Sequence, residues 1–73
     1  MVQEFAIGAI VRLTKELPYV KTAEPKPMLR PGAIVEVGEE GTVVGCYPGG
    51  FWGVKFERGV FLMDAENLEE VMQ

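Results

Sequence analysis

The stretch Gly38–Phe61, GEEGTVVGCYPGGFWGVKFERGVF, constrains the fold more than any other part of the chain. It reads as short strands separated by glycine turns, with its apolar residues placed to supply the middle of a single core. Gly38 and Gly41 bracket a turn and can take positive φ without steric cost. Thr42 to Cys46 then form a strand. Pro48 and Gly49 suit the second and third positions of a type II turn. Phe51 to Phe56 alternates, sending Trp52, Val54 and Phe56 inward and Gly53 and Lys55 outward. A tight turn over Glu57–Gly59 leads into Val60–Met63, which is apolar on both faces.

The segments around this centre complete or cover the core. In EFAIGAIVRL, Phe5, Ile7, Ala9, Val11 and Leu13 share one face, and Gly8 suits a bend before a strand over Ala9–Thr14. An amphipathic helix is disfavoured there by Gly8 and by the β-branched Ile10, Val11 and Thr14. Residues 15–32, KELPYVKTAEPKPMLRPG, hold four of the five prolines. Each fixes its own φ and biases the preceding residue towards extended backbone, so this run reads as a long loop with no helix and no central strand. Its apolar Leu17, Tyr19, Val20, Met28 and Leu29 are expected to pack down on the body. Residues 33–37, AIVEV, alternate as another short strand, with Ala33, Val35 and Val37 on one face. The tail reads as a short helical turn over 64–67, with Asp64 as its N-cap, and a closing strand over 68–72.

The expected fold is therefore all-β: one domain over residues 1–73, a small SH3-like barrel of about five strands. It carries a long proline-rich first loop (15–32) and a short helical turn before the last strand. A chain of 73 residues has no room for a second core.

Chemistry is constrained mainly by what is missing. The chain has no histidine and a single cysteine, Cys46, so an intramolecular disulfide is impossible and zinc or iron–sulfur ligands are scarce. No metal, no cofactor and no catalytic residue is expected. Cys46 reads as a buried or half-buried structural thiol, and the pairs Glu39–Glu40 and Glu69–Glu70 read as solvated faces. Neither GEEG nor PGGFWG has the spacing or strand-to-helix setting of a phosphate-binding loop. Eleven acidic against seven basic residues argue against a nucleic-acid partner. The start lacks a signal-peptide pattern, no run approaches a membrane span, and a cytoplasmic or stromal-type setting is expected.

The informative residues are exposed aromatics and their neighbours. Tyr19, Met28, Leu29, Arg30 and Phe51, with Arg12 or Lys55 alongside, would compose a mixed apolar and basic patch suited to a protein partner. At PYVKTAEPKPMLRPG (Pro18–Gly32), VGEEGTV and PGGFWGVKF, the chain resembles the SipA regulatory family of cyanobacteria. That resemblance implies a non-enzymatic SH3-like regulator that binds an NblS-type sensor histidine kinase at its catalytic, ATP-binding region. It would stimulate autophosphorylation in high-light and nutrient-stress signalling. The alternative is an SH3-like structural or docking subunit of a photosynthetic electron-transfer complex. An RNA- or ribosome-binding barrel ranks below both.

Overall fold

The computed structural model describes residues 5–24, 26 and 28–71. The chain is all-β. Its strands are β1 (Ile10–Leu13), β2 (Tyr19–Thr22), β3 (Leu29–Pro31), β4 (Glu40–Tyr47), β5 (Phe51–Phe56), β6 (Gly59–Asp64) and β7 (Leu68–Glu70). They make one antiparallel sheet in the order β3-β2-β6-β5-β4-β1-β7. Two 3-10 turns, Gly32–Ile34 and Ala65–Asn67, precede β4 and β7.

The large apolar residues of the central strands follow their alternation, but Gly53, expected to face outward, is buried against the Tyr47 ring. In β5, Val54 and Phe56 are buried, while Trp52 is half-buried and meets Phe5 edge-on at a centroid distance of 5.4 Å. The β4–β5 turn uses Pro48 and Gly49 as expected, with Gly49 at φ 89°. β6 resolves its ambiguous pattern by burying Phe61 and Met63 and leaving Val60 and Leu62 half-buried. Val11, Leu13, Val20, Val35, Val43 and Leu68 complete the core. The sheet's order leaves β3 and β7 as its edges, yet the molecule measures 30 × 24 × 22 Å. A single flat sheet would be about 10 Å thick, so this one coils round its own apolar face. A shift of register between Val43 and Gly45 marks where β4 bends.

Several expectations are corrected. About five strands were expected and seven are found, because the proline-rich run is not a plain loop. It contains the β2–β3 hairpin, and β2 is an interior strand, pairing β3 on one side and β6 on the other. Prolines do not prevent this: Pro18 precedes β2, and Pro31 ends β3 on the sheet's edge, where a missing N–H costs no ladder bond. Pro25 and Pro27 lie outside the described residues, as do Glu4 and the final residue, 72, of the expected closing strand.

Residues 33–37 are not a strand. Their alternation is coincidental: Val35 is buried, whereas Ala33 and Val37 are exposed, and the segment enters through a 3-10 turn. Gly38 has the positive φ expected of it, 88°, but Gly41 does not. Gly41 sits in β4 opposite Val11, where a Cβ would come within 2.7 Å of Val54 Cγ1. Close approach, not turn geometry, requires glycine there. Ile7 shares a sequence face with the core residues yet is 65% exposed, because the chain turns at Ile7–Gly8. The helical turn before the last strand is present, but Asp64 makes no side-chain cap hydrogen bond. Cys46 is exposed, not buried, since it lies on β4 beyond the bend.

Candidate functional site

The hairpin decides how the expected patch is arranged. Val20 points into the core, so its neighbours Tyr19 and Lys21 project outward. In register, Tyr19 stands opposite Pro31, Lys21 opposite Leu29, and Val20 opposite Arg30. Side chains directly opposite one another share a face. Leu29 therefore joins Tyr19 and Lys21 on the outer side, and Arg30 is turned to the other. Thr22 closes the hairpin: its backbone N–H donates to the Met28 carbonyl, and its Oγ1 accepts the Met28 N–H, both at 2.9 Å.

Tyr19 and Phe51 come together. Both line a groove of about 250 Å³ whose walls also include Leu17, Lys21, Leu62 and Asp64. The Lys21 ammonium lies 5.9 Å from the Phe51 ring centroid, within cation–π reach. Met28 and Leu29 are 59% and 62% exposed but stand on the hairpin beside the groove, outside its lining. Arg30 faces a separate hollow of about 140 Å³ shared with Glu24 and Arg58. Arg12 is held at 3.2 Å by Glu69 across β1 and β7, and Lys55 lies outside the groove lining. The structure thus divides the expected patch in two. Hydrophobics and one lysine gather on one side, and the arginines lie elsewhere.

The groove contains a residue that the sequence did not single out as functional. Asn67, at the end of the second 3-10 turn, is 6% exposed and is among the residues that line the groove. Its backbone carbonyl accepts the Thr14 N–H at 2.9 Å. Its side-chain Oδ1 is buried with no hydrogen-bond partner among the described residues. A buried acceptor left unpaired costs about 1–3 kcal/mol. The place of Asn67 at the end of the 64–67 turn carries no local signal of such burial.

A second groove, of about 530 Å³, adjoins the first, the two sharing Leu17 and Pro18. The shared wall is fixed from below. A Cβ on Gly32 would collide with the Leu17 carbonyl, so only glycine lets the 3-10 turn pack under that segment. The Gly32 N–H also donates to the Pro18 carbonyl at 3.3 Å. Glu16 and Glu36 line this second groove with Pro31, Val35 and Val37. No cluster of three or more metal-ligating residues occurs among the described residues, and no described helix is long and apolar enough to cross a membrane.

Taken together, these features define a small antiparallel β domain with two adjoining surface grooves beside a hairpin. The family follows from comparison: a family model described as CRR42-like, Protein CHLORORESPIRATORY REDUCTION 42-like, matches residues 7–68. The chain belongs to the CRR42-like family. No curated protein and no solved structure matches it.

This membership corrects the resemblance to the SipA family. The matched span includes Pro18–Gly32, VGEEGTV and PGGFWGVKF, the same residues that carried the resemblance. The latter two are turn chemistry that many small β domains need, and the first is the β2–β3 hairpin. With that family goes its implied function, stimulation of an NblS-type histidine kinase.

Proposed function

We propose that the protein is a structural or docking component of a photosynthetic or chlororespiratory electron-transfer complex. The observation that carries this reading is the family match over residues 7–68. The groove lined by Tyr19 and Phe51 supports it, because it offers aromatic and aliphatic contacts. In this reading the protein is not an enzyme, binds no nucleic acid, and acts at the cytoplasmic or stromal surface of the membrane that holds the complex. We also propose an SH3-like strand order. It is supported by the long β1–β4 connection folded into a hairpin and by the 3-10 turn before the last strand.

The test is isolation of the affinity-tagged chain from photosynthetic membranes. Co-migration with an electron-transfer complex on native gels is the expected result, together with slower dark reduction of the quinone pool in a deletion strain. Recovery of the chain free of any such complex, with normal quinone reduction in the deletion strain, overturns the proposal.

A further inference from the structure

The free edge of the sheet at β3 points to an occupant that the grooves do not name. We infer that β3 accepts an extended segment of a partner protein as an added strand, with an acidic side chain of that segment seated between Arg30 and Arg58. This rests on the docking role proposed above only for the identity of the partner.

Three observations carry it. The first is unpaired backbone. Thr22 donates its N–H to the Met28 carbonyl, and Gly32 donates its N–H to the Pro18 carbonyl. Bonded and unbonded pairs alternate along an antiparallel ladder, so Val20–Arg30 is the bonded pair between these two. Leu29, opposite Lys21, and Pro31, opposite Tyr19, therefore turn their backbone groups away from β2. The outer side of β3 offers an N–H from Leu29 and carbonyls from Leu29 and Pro31. Every residue of β3 is exposed, Leu29 by 62%.

The second is charge. Lys21, Lys26, Arg30 and Arg58 lie on the hairpin or on the β5–β6 turn, against Glu24 and Glu57. The bond from the Ala23 N–H to the Val60 carbonyl holds that turn beside the hairpin. No ion pair holds Arg30 or Arg58 among the described residues, although Glu24 shares their hollow. The opposite edge, β7, carries Glu69 and Glu70 and gives its Leu68 N–H to the Ala65 carbonyl. An acidic strand is thus drawn to β3 and repelled from β7, and a second copy's β3 would bring arginine towards arginine. The third is size. The hollow, at about 140 Å³, falls below the roughly 300–1,000 Å³ typical of small-molecule sites. Walled by Ile34, Val60 and Phe61 besides the arginines, it suits one side chain of a bound strand.

The pattern of the added strand follows. Its residue opposite Arg30 lies on the arginine's face and is acidic. Its residues opposite Leu29 and Pro31 lie on the outer face with Leu29 and Tyr19, and are apolar. The segment therefore reads apolar, acidic, apolar.

Two blocked peptides, titrated against the full chain and followed by amide NMR, test the inference. One alternates threonine or valine with glutamate, and its twin has lysine at every glutamate. The glutamate peptide should bind and the lysine peptide should not. Hydrogen exchange at the Leu29 amide should slow about tenfold in the complex, while the Arg30 amide, already bonded to β2, changes little. Arg30→Glu with Arg58→Glu should weaken the glutamate peptide about tenfold and let the lysine peptide bind instead. Both positions are exposed, and circular dichroism separates lost binding from lost folding. Leu29→Pro, which removes the outward N–H and no bond to β2, is a second variant that should lose the peptide. Absence of glutamate-peptide binding, equal binding of both peptides, or unchanged affinity in folded Leu29→Pro overturns the inference. So do shifts at Arg30 and Arg58 without slowed exchange at Leu29, which would mean a bound carboxylate and no added strand. If the peptide adds at β3 but the tagged chain joins no electron-transfer complex, the edge site stands and the proposed setting falls.

Discussion

At the scale of single residues, the molecule separates positions that hold the core from positions that face outward. Leu13 is 1% exposed, and its backbone also takes part in two bonds: its N–H donates to Glu39 and its carbonyl accepts the Gly38 N–H. Leu13→Ala should destabilise by about 2–5 kcal/mol, a large part of what a small domain has. Urea unfolding should show a lower midpoint with an unchanged slope. Val44, 42% exposed on the same sheet, is the control: Val44→Ala should change stability by less than about 0.5 kcal/mol. The Arg12–Glu69 pair belongs nearer the second group, since both side chains are about half exposed and solvent screens them.

Legibility in the sequence differed from residue to residue. Val54, Phe56 and the Pro48–Gly49 turn could be read because alternation and turn chemistry act locally. Gly41 and Gly32 could not. Their requirement comes from Val54 and from the Leu17 carbonyl, groups that only the folded chain brings near. Tyr19 and Phe51 could be picked out by type as candidate contact residues, and the fold brings them into one groove. Nothing local distinguishes an orphaned Asn67 from a solvated one.

At the scale of elements, the β2–β3 hairpin matters most, and proline content concealed it. A run with four prolines reads as loop when each is judged alone. The hairpin survives because Pro31 occupies an edge position and because Thr22 supplies both backbone and side-chain bonds to Met28. Thr22→Val keeps the side chain's shape and removes the acceptor for the Met28 N–H. It should cost about 0.5–1.5 kcal/mol and speed hydrogen exchange at Met28 and its neighbours more than at Val54. Equal acceleration throughout would mean that the hairpin opens only with the whole domain. Residues 33–37 show the opposite error, in which an alternating pattern suggested a strand although only Val35 is buried there. Alternation reports a strand only when every second residue has a core to enter.

At the scale of the whole molecule, β7 matters although it is a short edge strand. It pairs with β1, buries Leu68, and follows the turn that places Asn67. A chain ending after Asp64 should therefore lose cooperative unfolding by heat or urea instead of merely shifting its midpoint. The radius of gyration of 11.0 Å matches the about 11 Å of a compact chain of this length, so little slack exists to absorb such a loss.

The opposition of Cys46 and Trp52 across β4 and β5 gives this small molecule an optical reporter of its own. The chain has one tryptophan and one cysteine, and the thiol is exposed while the indole is half-buried. A dye attached at Cys46 would sit about 5 Å of backbone from the only indole, close enough to quench its emission. Brightening would then time the parting of those two strands, with no second label to place.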